Sequence, residues 1–276
     1  MTAPSRRSPR ARAAALSVTL SVALLLTGAC SAAPPAPGGT GQEIRVAAAS
    51  DLKFALDEAV EVFEAEHDGV EVEVAFGSSG TFVQQIRNGA PFDLYLSADI
   101  SLAEELAEEG RARPQDVFGY AVGRLVVWAA EGSTADPRRG VAGLAENAVT
   151  TVSIAHPEHA PYGRAAEAAI RTAGVEEELE GKLVLGENIA QAAGFARSGN
   201  ADAGIIALSL ALSPGLRDEG TYSEVPLEDF PTLEQGGVVL EGAPQEARDL
   251  AAFLTSPGGR EILAEHGFYP PAGAED

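Results

Sequence analysis

The sequence predicts an α/β protein made of two doubly wound lobes with a ligand cleft between them. Strand-like and helix-like segments alternate along most of the chain, and this alternation pauses near residue 120 and restarts near residue 150. Apolar segments around the pause are long enough to pass from one lobe to the other. The length of 276 residues also suits two modest domains.

The first lobe begins with three strand–helix units. Apolar, β-branched runs predict the strands, and apolar residues at helical spacing predict the helices. In chain order the predicted segments are strand 43–50, helix 51–67, strand 70–76, helix 80–89, strand 92–99 and helix 100–110. Gly89 and Gly110 are typical helix stops. Three such units in a row predict a parallel sheet covered by helices on both faces.

The rest of the chain repeats the pattern after a crossing segment. One apolar strand is predicted over residues 120–130, followed by a loop. The later predictions are strand and loop 150–163, helix 164–174, strand 181–187, helix 188–199, strand 201–209, strand 236–242, and helices 243–256 and 257–268. We therefore assign lobe 1 to residues 42–123 plus 236–276 and lobe 2 to residues 124–235.

The first thirty residues predict export. Four arginines and no acidic residue precede an apolar run that is too short to span a membrane comfortably and that ends at Cys30, the only cysteine. The residues before Cys30 resemble a lipobox, so we predict a lipoprotein signal peptide over residues 1–29 and a lipid on Cys30. The Pro-, Gly- and Ala-rich residues 30–41 form a predicted flexible tether. The protein is therefore expected to be extracytoplasmic and anchored to the cell membrane by this lipid.

Two other interpretations of the N-terminus stay open. The segment could be an ordinary secretory signal with Cys30 as a free thiol, and Arg6 and Arg7 give a weak match to twin-arginine export. A single cysteine cannot form an internal disulfide in either case.

The charge of the chain argues against two classes of partner. The net charge is −22, and it becomes −26 when the four arginines of residues 1–29 are removed. So acidic a surface argues against nucleic acid and against contact with an anionic membrane other than through the lipid.

Two serine-bearing turns are the strongest candidates for a binding site. Ser50 follows the first strand in VAAASD, and Ser78 and Ser79 follow the second strand in VAFGSSGT. Both turns end a strand and begin a helix, so they lie at the sheet edge where ligands bind in doubly wound proteins. Free N–H groups at a helix start, together with hydroxyls, suit an oxyanion. The alternative is that these serines only cap helices.

These turns belong to a wider pattern of matching segments. RVAAASDLKFAL, FGSSGTFVQQIRNGAPFDLYLSAD, HPEHAPYGRAA and GIIALS occur in this order over most of the mature chain, and with them the sequence resembles the molybdate-binding proteins of ABC importers. The resemblance implies a type II periplasmic-binding-protein fold. It also implies a monomer that captures molybdate or tungstate, uses no cofactor, and delivers its ligand to an ABC transporter permease.

The resemblance further implies which residues hold the oxyanion. Hydroxyls of the first two loops correspond to Ser50 and Ser79, with Ser78 beside them. Tyr162 in HAPYG and Ile189 in ENIAQ stand where the family donates main-chain N–H groups.

Two positions bear on the chemistry of this implied site. Many family members have a tyrosine where this chain has Ala207, and the hydroxyl of Tyr162 is a candidate to replace it. Asp51 follows Ser50 directly, and we expect its side chain to point away from the cleft from the first turn of a helix. Molybdate is an unprotonated dianion at neutral pH, so an inward Asp51 would instead favour a protonated oxyanion.

The sequence gives weaker support to other functions. His156, Glu158 and His159 in HPEH lack a third imidazole placed by sequence, so we predict no directly bound metal cation. GSSGT lacks the G-x-S-x-G spacing and no histidine and acid can be assigned to it, so we predict no catalytic residue and no enzyme activity. The alternatives kept open are a binding protein for sulfate or phosphate, and a hydrolase or transferase of similar topology.

Overall fold

The structure, a computed structural model, describes residues 41–271. The predicted signal peptide, Cys30 and all but the end of the predicted tether lie outside the described residues. The strands in chain order are β1 (Gln42–Ala49), β2 (Val70–Gly77), β3 (Leu94–Ser97), β4 (Ala112–Gly123), β5 (Leu125–Ala130), β6 (Val152–Ala155), β7 (Leu183–Gly186), β8 (Ala203–Ala207), β9 (Gly220–Glu224) and β10 (Leu233–Leu240).

Helices connect and cover these strands. They are α1 (Lys53–Glu66), α2 (Ser79–Arg87), α3 (Ile100–Glu108), α4 (Gly140–Gly143), α5 (Pro161–Thr172), α6 (Glu176–Leu179), α7 (Ile189–Arg197), α8 (Leu208–Ala211), α9 (Gln245–Thr255) and α10 (Pro257–Glu265). A 3-10 turn over Ser50–Leu52 leads from β1 into α1. Within residues 41–271, every helix is too short or too polar to cross a membrane.

The strands form two five-stranded sheets with the same topology. The orders are β2-β1-β3-β10-β4 and β7-β6-β8-β5-β9. In each sheet the first three strands are parallel, and the fourth and fifth pair antiparallel to their neighbours. This arrangement confirms the predicted two-lobe α/β fold.

Alternating burial explains why the strands form sheets covered on both faces. On β1, Val46 and Ala48 pack in one core cluster with α1, and Ala47 between them packs in another cluster with α2 and α3. Successive strand residues point to opposite faces, so both faces of the first sheet are buried. The second sheet has its own core around Trp128 and Ile205.

The structure differs from the prediction at the crossings. The predicted single strand over 120–130 is two strands, because β4 pairs in the first sheet up to Gly123 and β5 pairs in the second from Leu125. The chain therefore leaves the first sheet at Gly123 and enters the second at Leu125, with Arg124 between the two strands. The sheets are also mixed rather than purely parallel, and β9 was not predicted because GTYSE lacks an apolar run.

Candidate oxyanion-binding site

Four helical segments begin around one small cavity. They follow β1 and β2 of the first sheet and β6 and β7 of the second, so each sheet contributes its first two parallel strands. The residues around the cavity are Ala49, Ser50, Asp51, Gly77, Ser78, Ser79, Ala98, Ala160, Pro161, Tyr162 and Ile189. The five residues predicted to bind the ligand are therefore brought together at one place.

The size and chemistry of the cavity point to a small anion. The cavity volume is about 10 Å³, room for about one water-sized group and far below the roughly 300–1,000 Å³ typical of sites for drug-sized ligands. None of the surrounding side chains is a lysine, arginine or histidine. Hydrogen-bond donors must then hold an anion here without a basic countercharge.

Backbone N–H groups are the donors that the helix starts provide. Ser79 is the first residue of α2, Ile189 the first of α7, and Tyr162 the second of α5. At these positions an N–H group has no acceptor within its own helix. The partial positive charge of a helix N-terminus adds to the attraction for an anion.

Ser79 contributes a hydroxyl whose own hydrogen is available. Its Oγ accepts a hydrogen bond from the Ala98 N–H at 3.1 Å, and the Tyr95 hydroxyl donates to the Ser79 carbonyl at 2.9 Å. Ser79 is buried, and these two contacts fix its position. With the Oγ acting as an acceptor towards Ala98, its hydrogen is free to point to a ligand oxygen.

The other two serine hydroxyls join the lobes. Ser50 Oγ donates to Asn188 Oδ1 at 3.2 Å and accepts from the Ala190 N–H at 3.3 Å. Ser78 Oγ donates to the carbonyl oxygen of His159 on the second lobe. The hydroxyl hydrogens of Ser50 and Ser78 are therefore both used in contacts between lobes, although both residues line the cavity.

Two further contacts hold the lobes together at the same edge. The Gly80 N–H donates to the His159 carbonyl at 2.9 Å, and Arg164 forms an ion pair with Asp99 at 2.8 Å. A Cβ added at Gly80 would lie 2.6 Å from the His159 carbonyl oxygen, so only glycine allows this approach.

Asp51 is enclosed beside the cavity, whereas its side chain was expected to point away from the cleft. The residue is 1% exposed, and its Oδ2 accepts a hydrogen bond from Gln235 Nε2 at 2.6 Å. Burial raises the pKa of the Asp51 carboxyl to about 6, and the hydrogen bond from Gln235 only partly offsets that rise. Long-range packing of β10 and α5 against the turn encloses the side chain, and the local sequence carries no sign of this.

Many family members have a tyrosine at the position of Ala207, and the Tyr162 hydroxyl is not a simple replacement for that donor. Its hydroxyl oxygen accepts from Gln235 Nε2 at 3.1 Å, in a buried network. Burial, together with the nearby Asp51 charge, raises the pKa of Tyr162 well above its usual value. Ala207 is buried at the end of β8 and is not among the residues around the cavity.

The HPEH loop brings its three candidate ligands together in an arrangement that suits a single metal ion poorly. The ligand atoms of His156, Glu158 and His159 lie within 4.8 Å of one another. The two imidazole rings are stacked with planes only 17° apart, and His159 Nε2 contacts the Glu187 carbonyl at 3.1 Å. Imidazole lone pairs lie in the ring plane, so near-parallel stacked rings cannot both direct one at a single ion.

Gln235 is the main residue that sequence reasoning missed. It is buried in β10, and it contacts Asp51 of the first lobe and Tyr162 of the second. The available signal was a glutamine directly before the predicted strand 236–242, with Glu234 as a second polar residue beside it. A buried polar side chain requires partners, but the sequence does not say which ones.

Known proteins are similar to this chain in sequence and in fold. The sequence profile of the family described as bacterial extracellular solute-binding protein matches residues 44–269. The molybdate-binding protein ModA of Rhodobacter capsulatus is 36% identical over 261 residues, which cover 94% of this chain and 96% of that protein. The structure of the Azotobacter vinelandii periplasmic molybdate-binding protein aligns with a TM-score of 0.77 at 28% identity, covering 83% of this chain and 99% of that one.

A more distant structure shows how widely the fold is used. The sulfate-binding protein SubI from Mycobacterium tuberculosis H37Rv aligns with a TM-score of 0.65 at 16% identity, covering 84% of this chain and 88% of that one. At this identity the match supports similarity of fold and nothing more.

Proposed function

The chain belongs to the bacterial extracellular solute-binding protein family, and we propose that it captures molybdate or tungstate outside the cytoplasm and delivers it to an ABC transporter permease. The observation that carries this proposal is the cavity of four converging helical starts, which offers N–H and O–H donors and no basic side chain. No bond is made or broken in this function.

The donor set suits a dianion without protons. Each oxygen of molybdate can only accept hydrogen bonds, so it is matched by the Ser79 hydroxyl and by the N–H groups of Tyr162 and Ile189. Hydrogen bonds to a charged group contribute about 1.5–3 kcal/mol each, more than those between neutral groups. A few such bonds in a buried site are sufficient for tight binding.

Closure of the lobes follows from the position of these donors. Ser79 comes from the first lobe, and Tyr162 and Ile189 come from the second. A ligand bound to one lobe reaches the remaining donors only when the lobes come together. The ligand therefore stabilises the closed form through contacts that the open form lacks, and the permease would recognise the closed form.

Thermal unfolding with added oxyanions tests this proposal. Molybdate, tungstate, sulfate and phosphate are titrated separately, and a ligand at 100 times its dissociation constant adds about 2.7 kcal/mol to the free energy of unfolding. We expect stabilisation by molybdate and tungstate at concentrations where sulfate and phosphate have little effect. No stabilisation by millimolar molybdate would exclude the proposed ligand.

A protonated oxyanion such as hydrogen phosphate is the second candidate. One observation favours it: the carboxylate of Asp51 is buried beside the cavity, where an ionised acid could accept a hydrogen bond from the ligand. Stabilisation by phosphate in preference to molybdate in the same titration would support this alternative.

We also propose that a lipid on Cys30 holds the protein at the outer side of the cell membrane. The apolar run that ends at the only cysteine supports this attachment, and the high net negative charge argues against direct contact with anionic lipids. Mass spectrometry of the protein made in its own cells should show an acylated N-terminal cysteine. Release of a Cys30→Ala variant into the medium would agree, and an unmodified Cys30 would contradict it.

A further inference from the structure

The two oxygens of the Asp51 carboxyl group have different environments. Oδ2 accepts a hydrogen bond from Gln235 Nε2 at 2.6 Å. Oδ1 is fully buried and has no hydrogen-bond partner among residues 41–271. A buried oxygen without a partner is costly, so on a residue that lines the cavity it calls for a function.

The contacts of Gln235 decide where a proton on Asp51 would reside. Its Nε2 group donates to Asp51 Oδ2 and to the Tyr162 hydroxyl oxygen, and its Oε1 lies 3.1 Å from the Tyr120 hydroxyl, which shares its hydrogen with the Ser97 carbonyl at 2.9 Å. Oδ2 is therefore committed as an acceptor. A neutral Asp51 carries its hydrogen on Oδ1, the oxygen that lacks a protein partner.

The ionised and neutral forms of Asp51 interact differently with a dianionic ligand. An ionised carboxylate beside a buried dianion repels it, because like charges in a poorly solvated site interact strongly. A neutral carboxyl group removes this repulsion and adds one donor to a cavity that already consists of donors. The ligand oxygen in turn gives Oδ1 the partner that it lacks.

We propose that Asp51 is a ligand-binding side chain that takes up one proton from solvent when the oxyanion binds, and then donates a hydrogen bond to the oxyanion from Oδ1. This inference rests on the proposed function and deepens it. It makes the capture of an unprotonated oxyanion dependent on pH.

The surroundings of Asp51 agree with this proposal. Burial raises the pKa of Asp51 to about 6 in the absence of ligand, and a bound dianion raises it further. The titratable groups that face Asp51 are Tyr162 on α5 and Tyr120 on β4. Gln235 on β10 and Ser209 on α8, which donates to the Asp51 carbonyl at 2.9 Å, do not titrate.

Isothermal titration of the wild-type protein with molybdate tests the proton uptake directly. Pairs of buffers with different ionisation enthalpies give the number of protons bound with the ligand at each pH. Between about pH 7 and about pH 9 we expect uptake of close to one proton, and a dissociation constant that rises about tenfold per pH unit. This measurement needs no variant, so it does not depend on whether a variant folds.

Variants identify the group that takes up the proton. Asp51→Asn keeps the shape and can donate from its amide, so we expect it to bind molybdate with no proton uptake and little dependence on pH. Asp57→Asn is the matched control, because Asp57 is an exposed acid on α1 that pairs with Lys53. It should keep the wild-type dependence on pH.

The outcomes separate this inference from the proposed function. Wild-type binding of molybdate without proton uptake, or with the flat pH profile expected of Asp51→Asn, would overturn the role of Asp51 and leave the ligand assignment standing. Absence of molybdate binding at every pH would overturn the proposed function itself. Proton uptake that persists in Asp51→Asn would assign the proton to another group and also overturn the inference.

Discussion

The two lobes share one topology but present different chemistry to the cavity. Their sheets have the same strand order and the same pattern of parallel and antiparallel pairs. The start of the 3-10 turn after β1 corresponds to the start of α5 after β6, and the start of α2 after β2 corresponds to that of α7 after β7. Equivalent positions in the two lobes therefore surround the ligand space.

The difference lies in which atoms each lobe offers. The first lobe has serines at these positions, and it also brings the carboxyl group of Asp51. The second lobe has Tyr162 and Ile189, whose side chains are buried and whose N–H groups are the available donors. We infer that the first lobe depends on side-chain identity and the second on backbone position. Four predictions test this contrast.

Gly80→Ala is expected to have the largest effect because it prevents the lobes from meeting. The new Cβ would lie 2.6 Å from the His159 carbonyl oxygen, which is backbone and cannot move aside cheaply. Loss of both second-lobe N–H donors should weaken molybdate binding on the order of 1,000-fold, at about 1.5–3 kcal/mol for each bond. Titration calorimetry measures this loss.

Gly194→Ala is the matched control for this substitution. Gly194 lies in α7 with no other heavy atom within 4 Å of an added Cβ. Alanine there should leave the affinity unchanged and stabilise the helix slightly. Wild-type affinity in Gly80→Ala would show that closure does not require the contact with His159.

Asp51→Asn tests the carboxyl group, which only the first lobe contributes. The quantity measured is the free energy of unfolding rather than the affinity for molybdate. Burial raises the pKa of Asp51 from 3.8 to about 6, so the folded protein binds more protons than the unfolded chain between these values. Stability is therefore lost as the pH rises through this window. At about pH 7 the variant should be more stable by about 3 kcal/mol.

Urea unfolding of the ligand-free protein at several pH values measures this difference. The gain in the free energy of unfolding should shrink towards zero below about pH 4, where Asp51 is neutral in both states. Asp57→Asn should show no such pattern. An equal effect of Asp51→Asn at all pH values would mean that desolvation of the charge is not its cause.

Ile189→Pro tests the backbone donor of the second lobe. Proline is tolerated at the first position of a helix and removes the N–H group, and Asn188 before it is already extended. Binding should weaken by about 1.5–3 kcal/mol. Ile189→Val also shortens the buried side chain but keeps the N–H, so it should weaken binding far less. Equal losses in the two variants would point to side-chain packing.

Ser79→Ala tests the side-chain donor of the first lobe. Removal of the hydroxyl should weaken molybdate binding by about 1–3 kcal/mol, because a donor to a charged ligand is lost. The control is Ser198→Ala, which removes an exposed serine hydroxyl at the end of α7. Titration calorimetry compares the affinities of the two variants for molybdate. An unchanged affinity in Ser79→Ala would show that the Ser79 hydroxyl has no role in binding and that the second loop only begins a helix.

Much of the fold was predictable because its signals are local. Apolar alternation predicted β2, and helical spacing predicted α1. The resemblance to molybdate-binding proteins is confirmed by relatives that cover most of the chain. The lobe boundaries, the lipid on Cys30 and the roles of the site residues stay predictions.

The errors arose where long-range packing decides the outcome. The direction of Asp51 depends on Gln235, which lies 184 residues further along the chain, and on Tyr162 from the other lobe. The break between β4 and β5 depends on which sheet each strand joins. Local sequence carries little information on either point.

The sequence by itself determined the alternation of strands and helices, the position of serines at two helix starts, and the family. These follow from periodicity and from residue types that act within one turn or one strand. Only the tertiary structure decided that Ser78 donates to the other lobe, and that Asp51 is enclosed with one oxygen left without a partner. The physical reason is that burial and hydrogen bonding between distant segments depend on how the two sheets pack, which no single stretch of sequence specifies.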